Sequence, residues 1–490
     1  MSHTTSRRQF VAASSAAFLQ RKPAAVRPNI LFVMTDDQAV SLMSCYGNRH
    51  LMTPNMDRLA AEGVRFTNAF VTNSLCAPSR ATCLTGCYSH IHKVFGNSER
   101  RDQIETMDAG TPTYPELLQQ AGYRTGIVGK WHLSHTPRGF DTWRILPGQG
   151  VYVNPEFIEA GKRTRYNGHV TDITTDMAIE FLEHRDQRPF CLIYQPKGPH
   201  RPFTPAERHR QMFSEIDVPV PPAFDDDYST RKIAKEAEDM RLDVSLAEDY
   251  PDLPKGLSPP ERKRWIHQRF VKDMYRSVVG IDEGLGRVLD HLDRSGQAGN
   301  TLIVYTSDNG FFLGEHGWYD KRFMYEPSLR VPLLVRFPGI AAGGFVSNAM
   351  TMNIDLAPTI LDAAGVNIAP SIQGQSLRPV LEGRTPKSWR KSIYYHYYEN
   401  SWAERQASKD RLADPTFAYA TPHRVTPHRG VRTDRYKLID YYTDDGYKEL
   451  FDLRDDPHEL RNLYTESNRQ GIVGRLEREL SRLRAEYRDT

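Results

Sequence analysis

Four short apolar stretches, each followed directly by polar side chains, place the strongest constraint on the fold of this chain. The first, "NILFVMT" at Asn29–Thr35, ends at Asp36 and Asp37. Runs that are apolar throughout are typical of strands buried on both faces of a parallel sheet. The other three are residues 125–128 before "GKWH", residues 189–194 before "QPKGPH", and residues 301–305 before "TSDNG".

Helical patterns separate these predicted strands. They are "TYPELLQQAGY", "TDITTDMAIEFLEHR" and an amphipathic stretch from about Gln268 to Arg294. Alternating helices and apolar strands predict an α/β fold with helices on both faces of the sheet, and such sheets bind ligands at the carboxyl ends of their strands. Any single polar cluster could merely solvate a loop, but four together indicate one crevice.

The length of 490 residues predicts one large domain and a smaller one. Residues 27–370 are predicted to form a catalytic domain, with a charged, proline-rich insertion at about 205–264 lying over the crevice. Residues 371–490 form the smaller unit. Its aromatic segments and a closing helix from about Gly471 to Tyr487 predict an antiparallel sheet backed by one helix.

Composition and the N-terminus bear on partners and location. A hydrophobic content of 39%, a charged content of 26% and a net charge of +3 are typical of a soluble globular protein. They argue against nucleic acid as a partner and against a membrane span. Residues 1–26, with Arg7 and Arg8 before a short apolar stretch, predict a bacterial Tat-type signal peptide and a periplasmic or secreted protein; a disordered basic tail is the alternative.

Two of the strand ends carry candidate metal ligands. Asp36, Asp37, Asp308 and Asn309 offer hard oxygen atoms, which suit Ca²⁺ or Mg²⁺ better than a soft metal. Capping of a helix or a turn is the alternative for each residue taken singly. Paired acidic residues directly after apolar strands favour a metal site.

Cys76 is the most informative of five cysteines, an odd number without a C-x-x-C pair. Pro78 predicts that a helix begins just after Cys76, where the thiol pKa would be lowered and Arg80 could bind a tetrahedral oxyanion. An inert buried cysteine is the alternative. A cysteine phosphatase is disfavoured, because Pro78 lacks an amide donor where a phosphate loop needs one.

The stretch "CAPSRATCLTG" matches the signature C-x-P-S-R-x-x-x-L-T-G of the type I, formylglycine-dependent sulfatases. Other stretches that resemble motifs of this family are "TDDQ", "GYRTGIVGKWHL", "KGPHRPF", "SDNG" and "GEHGWYDKRFMYEPSLRVPLLVRFPG". The resemblance runs from about Pro28 to Leu463. It implies an alkaline-phosphatase-like large mixed sheet flanked by helices, plus a smaller C-terminal domain with an antiparallel sheet and a helix.

The resemblance also implies a modification and a set of site residues. Cys76 would be converted to formylglycine by a formylglycine-generating or anaerobic sulfatase-maturating enzyme, and its hydrate would attack sulfur. Lys130 and Lys321 would hold the sulfate, His200 with Lys321 would protonate the leaving alkoxide, and His132 would take a proton so that the aldehyde re-forms. Arg80 would stabilise the attacking oxygen together with Ca²⁺, with Mg²⁺ as the alternative, bound by Asp36, Asp37, Cys76, Asp308 and Asn309.

Within the family, three stretches look most like the branch of N-acetylglucosamine-6-sulfatases, which act on glycosaminoglycan or mucin-type glycans. They are "NAFVTNSLCAPSRATCLTGCYSHIHKVFGN", "PRGFDTWRILPGQGVYVNPEFI" and "YYHYYE…HRGVRTDRYKLI". We expect a sulfated carbohydrate substrate, with four side chains reaching the sugar from the crevice rim: His92, His396, His428 and Arg432. Ordinary surface polar residues are the alternative. Other functions left open are a sulfatase for galactose, fucose or algal glycans, a phosphodiesterase or phosphonate hydrolase of the same superfamily, and a glycan-binding protein without catalysis.

Overall fold

The computed structural model describes residues 27–97, 107–133, 135–184, 186–398 and 425–489. The predicted signal peptide at residues 1–26 lies outside the described residues. Within the described parts, no helix is both long enough and apolar enough to cross a bilayer.

Strands and helices alternate along the first part of the chain, as the sequence predicts. The strands are β1 (Asn29–Thr35), β2 (Val64–Phe66), β3 (Ala69–Phe70), β4 (Arg124–Lys130), β5 (Thr142–Leu146), β6 (Glu156–Glu159), β7 (Lys162–Arg165), β8 (Phe190–Gln195), β9 (Thr301–Ser307), β10 (Leu333–Arg336), β11 (Phe345–Ser347), β12 (Thr351–Met352), β13 (Ser392–Tyr397), β14 (His428–Thr433), β15 (Tyr436–Asp440) and β16 (Lys448–Asp452). The helices are α1 (Pro54–Glu62), α2 (Cys76–Thr85), α3 (Ser89–His92), α4 (Tyr114–Gln120), α5 (Val170–Glu183), α6 (Lys232–Glu236), α7 (Pro259–Arg294), α8 (Glu326–Leu329), α9 (Leu356–Ala363), α10 (Arg378–Leu381) and α11 (Gln470–Tyr487).

A ten-stranded mixed sheet carries the architecture, in the order β11-β2-β10-β9-β1-β8-β4-β5-β6-β7. Strands β9, β1, β8, β4 and β5 run parallel, so their carboxyl ends share one edge. The register pairs Thr35 of β1 with Ser307 of β9, which brings Asp36 next to Asp308. The predicted α/β fold and the meeting of the four polar strand ends are confirmed.

The large sheet separates two hydrophobic cores, because successive side chains of a strand point to opposite faces. From β1, Ile30, Phe32 and Met34 pack in the core that includes residues of α2, α4 and α9. Leu31 and Val33 pack in the core that includes residues of α1, α5 and α7. The sheet is therefore covered on both faces, and its carboxyl edge is left for polar groups.

Helix α7 is longer than the sequence pattern predicts. It begins at Pro259, where Ser258 and Glu261 form a capping box, instead of near Gln268. Most side chains of residues 259–265 are exposed, so this charged first part lacks the apolar periodicity that marks a helix in sequence. The segment 205–258, described throughout, holds α6 and short 3-10 helices but no strand.

Strands β13–β16 form a separate antiparallel sheet in sequence order, and α11 packs against it. This confirms the predicted second sheet with its closing helix. A buried ionic network joins this sheet to α8: Lys437 Nζ lies 2.6 Å from Glu459 Oε1 and 2.9 Å from Glu326 Oε1. The domain boundary at about residue 370 stays a prediction.

Candidate active site

Carboxylates from the ends of β1 and β9 form the centre of the site. Asp36, Asp37 and Asp308 are buried, and each offers an oxygen within 4.8 Å of the others. The Asp37 amide donates to Asp308 Oδ1 at 3.0 Å. Asn309 Nδ2 donates to Asp37 Oδ1 at 2.7 Å and to Asp308 Oδ1 at 2.9 Å, so the four ligands predicted from the two strand ends lie in one cluster.

The electrostatics of this cluster favour a divalent cation. Burial and repulsion from neighbouring carboxylates raise the pKa of Asp37 to about 7 and that of Asp308 to about 6. Burial acts in the same direction on Asp36, but Lys130, His200 and Arg80 outweigh it and hold the pKa of Asp36 well below its usual value. Asn309 Oδ1 is buried and lacks a hydrogen-bond partner within the described chain. Crowded carboxylates and an unsatisfied amide oxygen are the donor set of a hard cation.

Cys76 points into this cluster from the start of α2. It is the first residue of the helix, one position later in the helix than the sequence predicts, and it is fully buried. Its Sγ lies 3.5 Å from Asp36 Oδ1 and 3.4 Å from Lys321 Nζ. Burial raises the pKa of the Cys76 thiol to about 12. The prediction of a thiolate with a lowered pKa is therefore wrong, because desolvation outweighs the helix N-terminus and the nearby lysines.

Arg80 follows Cys76 by one helical turn and faces the same cluster. Its Nε and Nη2 donate to Asp308 Oδ2 at 3.0 and 2.8 Å. Its Nη1 donates to the Lys130 carbonyl at 2.8 Å and to Gln195 Oε1 at 3.0 Å. The planar guanidinium thus links the ends of β9, β4 and β8, a geometry that lysine cannot reproduce.

Two lysines place positive charge beside the carboxylates. Lys130, the last residue of β4, donates from Nζ to Asp36 Oδ2, and to Gln149 Oε1 at 2.6 Å. Lys321 donates to both carboxylate oxygens of Asp37, at 2.6 and 2.7 Å. Although burial opposes it, the charge of Asp37 raises the pKa of Lys321 well above its usual value. Both ammonium groups are placed to bind an anion next to residue 76.

Two histidines lie at the same edge. His200 Nε2 is 3.7 Å from Asp37 Oδ2, and its Nδ1 donates to the Arg201 carbonyl at 2.7 Å. Burial and the charge of Lys130 lower the pKa of His200 well below its usual value. His132 has a left-handed backbone conformation, with φ of 53°, and its Nε2 lies 3.1 Å from Gln149 Nε2. All the predicted catalytic side chains therefore come from one edge of the sheet and the loops beside it.

Three further residues of the site were not assigned a role from the sequence. Gln195, the last residue of β8, accepts from Arg80, and Gln149 follows the end of β5. Lys197 is buried, and burial together with the charge of Lys130 lowers its pKa to about 7. The position of Gln195 directly after a predicted strand was a usable signal. The sequence pattern gave no strand at β5, so nothing marked Gln149.

Of the four side chains expected to reach the sugar from the rim, two are contradicted by the structure. His92 and His428 are completely buried, so the expectation is wrong for both. His92 Nε2 lies 3.1 Å from Thr82 Oγ1, and His428 Nε2 accepts from the Met324 amide at 3.1 Å. Burial lowers the pKa of both imidazoles to about 3, which makes them neutral core residues.

His396 and Arg432 are also committed to partners within the protein. His396 Nδ1 lies 2.6 Å from Asp489 Oδ2, and its Nε2 lies 3.1 Å from the Tyr442 hydroxyl. Arg432 donates to both carboxylate oxygens of Glu326 at 3.2 Å. These contacts give both side chains of the C-terminal sheet a structural role. The sequence pattern alone could not distinguish that role from contact with a sugar.

Comparison with known proteins identifies the class. Residues 28–366 match the sulfatase family model, and residues 401–486 match the model of the C-terminal part of N-sulphoglucosamine sulphohydrolase. The chain belongs to the sulfatase family and is a sulfuric ester hydrolase. Carboxylates, an amide, an arginine and two lysines around residue 76 are consistent with that activity.

Individual relatives narrow the comparison. The chain is 41% identical to N-acetylglucosamine-6-O-sulfatase of Bacteroides thetaiotaomicron, over 94% of this chain and 87% of the relative. It is 29% identical to human N-acetylglucosamine-6-sulfatase, over 81% of this chain and 70% of the relative. A solved structure of a protein with its substrate D-glucosamine-2-N,6-O-disulfate has a TM-score of 0.85 and 41% identity, covering 95% of this chain and 99% of that one.

Proposed function

We propose that the chain removes the 6-O-sulfate of N-acetylglucosamine residues in glycosaminoglycan or mucin-type glycans, with residue 76 acting as formylglycine. The observation that carries this proposal is the place of Cys76, whose buried sulfur lies between Asp36 and Lys321 in a cluster of oxygen ligands and cations. A thiol with a pKa of about 12 is a poor nucleophile, so this position favours a modified side chain. The hydrated aldehyde supplies an oxygen nucleophile for sulfur and a second hydroxyl group.

The lysines and Arg80 supply the electrostatic part of the proposed mechanism. Lys321 Nζ already contacts the side chain of residue 76, and Lys130 Nζ contacts Asp36 on the other side of the cluster. Both would bind the sulfate oxygens, which stay negatively charged throughout the reaction. Arg80 would orient the oxygen of residue 76. Because these groups are held by buried partners before substrate binds, little reorganisation is needed.

The histidines would move the protons. His200 uses Nδ1 to donate to the Arg201 carbonyl, so its Nε2 is the atom that can carry a proton to the leaving sugar oxygen. The negative charge of a bound sulfate ester opposes the lysine charges that lower the His200 pKa. Lys321 supports the same protonation from beside Asp37, and His132 would accept a proton at Nε2 during the release of sulfate.

We propose Ca²⁺ as the bound cation, with Asp36, Asp37, Asp308 and Asn309 as ligands together with residue 76. All these donors are oxygen atoms once residue 76 is modified, which suits Ca²⁺, while Mg²⁺ is the smaller alternative. When bound, the cation acts as a Lewis acid and stabilises negative charge on oxygen.

The substrate assignment rests on similarity. The 41% identical relative is named as acting on the 6-O-sulfate of N-acetylglucosamine, and the structural neighbour binds a glucosamine that carries a 6-O-sulfate. Sulfated galactose, fucose or algal glycans are the second candidates. A phosphonate monoester hydrolase of Agrobacterium radiobacter shares the fold, with a TM-score of 0.73 at 23% identity, and that similarity extends to the fold alone.

Maturation and export complete the proposal. Conversion of Cys76 requires a formylglycine-generating or an anaerobic sulfatase-maturating enzyme as a partner. Tat export, which carries folded proteins, would allow this modification in the cytoplasm before the protein reaches the periplasm or the medium. Residues 27–370 would form the catalytic domain and residues 371–490 the C-terminal subdomain.

The test combines mass analysis of the peptide that contains residue 76 with an assay of sulfate release from a panel of sulfated monosaccharides. We expect release from N-acetylglucosamine 6-sulfate and from glucosamine 2-N,6-O-disulfate by modified protein. Cys76→Ala should be inactive, whereas Cys191→Ala, the same change at a buried cysteine of β8, should keep activity. No release from any sugar by fully modified protein would refute the activity. Release from galactose or fucose sulfates alone would refute the substrate.

A further inference from the structure

Gln149 lies in a tight turn at the end of the fifth parallel strand. Strand β5 pairs with β4 in a register that places Leu146 beside Lys130, so the turn after β5 lies next to the end of β4. Gly148 and Gly150 flank Gln149 with φ of 53° and 67°, values that favour glycine, and the Gly150 amide donates to the Pro147 carbonyl at 2.9 Å. The turn therefore places the Gln149 backbone beside the end of β4.

One side chain thereby contacts two residues of the proposed mechanism. Gln149 Oε1 accepts from Lys130 Nζ at 2.6 Å, and Gln149 Nε2 lies 3.1 Å from His132 Nε2. Lys130 and His132 are two residues apart and leave the end of the same strand. Gln149 is thus a bridge between the group proposed to hold sulfate and the group proposed to accept a proton.

The chemistry of the bridge allows one orientation of the amide. An ammonium group has donors and no acceptor, so the amide oxygen has to face Lys130 and the amide nitrogen has to face His132. The amide nitrogen is a donor only, so His132 Nε2 has to accept. The neutral imidazole therefore carries its proton on Nδ1, and a proton on Nε2 would place two donors against each other.

The backbone of Gln149 is held from a third strand end. Lys197, which follows β8, donates from Nζ to the Gln149 carbonyl at 2.9 Å. The same ammonium group lies 4.9 Å from the centre of the Tyr152 ring. Lys197 is buried, so this contact is shielded from competing water.

We propose that Gln149 is a positioning residue that ties Lys130 to His132: its amide nitrogen donates to the single lone pair of His132 Nε2, and this contact opens when His132 accepts a proton there. The catalytic role of His132 in this proposal rests on the proposed function. The hydrogen bonds that Gln149 makes do not depend on what the substrate is. Lys197 supports the pattern by anchoring the turn that carries Gln149.

The first test measures the pattern directly, without activity. In ¹⁵N-histidine spectra of the full protein, the His132 signals are assigned by their loss in His132→Gln. We expect Nδ1–H and an unprotonated Nε2 in the wild type, and a shift of the proton to Nε2 in Gln149→Glu, whose carboxylate can only accept. Gln195→Glu, the matched change at a glutamine that contacts Arg80, should leave the His132 signals unchanged. A wild-type His132 with its proton on Nε2 would overturn the proposal.

The second test separates the two contacts by kinetics on mature protein. Gln149→Glu keeps an acceptor for Lys130 but cannot donate to His132, so we expect kcat to fall about tenfold or more with KM within about twofold. Gln149→Ala loses both contacts and should also raise KM. Wild-type kcat in Gln149→Glu would contradict the proposed positioning. If the mature wild type releases no sulfate at all, the proposed function fails, and the ¹⁵N spectra still decide whether Gln149 sets the His132 pattern.

Discussion

Removal of the divalent cation should change the pH dependence of stability in a way that the carboxylate cluster specifies. In the metal-free fold the pKa values of Asp37 and Asp308 are raised to about 7 and about 6, from 3.8 in a solvated chain. A raised carboxyl pKa stabilises the fold at low pH, and this contribution is lost as pH rises through the folded value. Metal binding displaces the same protons, so stabilisation by the metal should grow over that pH range.

The expected magnitude follows from the number of protons displaced. Between pH 7 and pH 6 Asp37 takes up a proton, so stabilisation by the metal should fall by up to about 1.4 kcal/mol per pH unit. Below pH 6 Asp308 is protonated as well, and the slope should approach about 2.7 kcal/mol per pH unit. Above pH 7 stabilisation by the metal should level off. Asp36, whose pKa is lowered, stays ionised across this range and adds no slope.

The assay is urea unfolding from pH 5 to pH 8, with the protein either saturated with Ca²⁺ or treated with chelator. The difference in unfolding free energy at each pH cancels buried histidines that do not contact the metal, such as His92 and His428. Asp308→Asn should halve the slope below pH 6, because one titrating carboxylate remains. A difference that is independent of pH, or the absence of any stabilisation by Ca²⁺, would refute this account of the cluster.

Two further predictions concern Arg80 and the network under the C-terminal sheet. Arg80→Lys should lower kcat by about 100-fold while Ca²⁺ still stabilises the protein. The reason is that lysine cannot make the forked contact with Asp308 together with the contacts to Lys130 and Gln195. Near wild-type turnover in a sulfate-release assay would contradict this. Lys437→Met should cost about 3–5 kcal/mol in urea unfolding, because the buried Glu459 would lose its ion-pair partner while lying beside Glu326, which keeps its contact with Arg432. Adding Glu459→Gln should recover part of that loss, and no recovery would argue against the charge explanation.

Much of the fold could be predicted from periodicity alone. Apolar runs such as Asn29–Thr35 are long enough to mark buried strands, and the helical patterns between them marked α4, α5 and most of α7. Short or half-exposed strands were not detected: β6 is only four residues long, β7 has no apolar residue, and the pairing of β5 with β6 and of β6 with β7 depends on neighbours that a local pattern does not contain. The early start of α7 was missed because its exposed first part lacks apolar periodicity.

The site divides in a similar way. Polar residues directly after buried parallel strands lie together at one edge of the sheet. This is why the sequence indicated the strand-end residues Asp36, Asp37, Asp308, Lys130 and His132. His92 and His428 were misjudged, because a segment that contains histidine looks the same in sequence whether the histidine faces a sugar or the core. His428 is buried and holds a backbone amide, and only packing decides that.

By itself, the sequence determined the α/β class, the identity of the strand ends that meet, and the oxygen-rich character of the cluster beside residue 76, since these follow from local patterns and residue chemistry. Only the tertiary structure decided the protonation of Cys76, because desolvation depends on what surrounds the thiol. It alone brought Gln149, from an unrecognised strand end, between Lys130 and His132. Burial and contacts between distant segments arise when the chain packs, and no stretch of the chain encodes them alone.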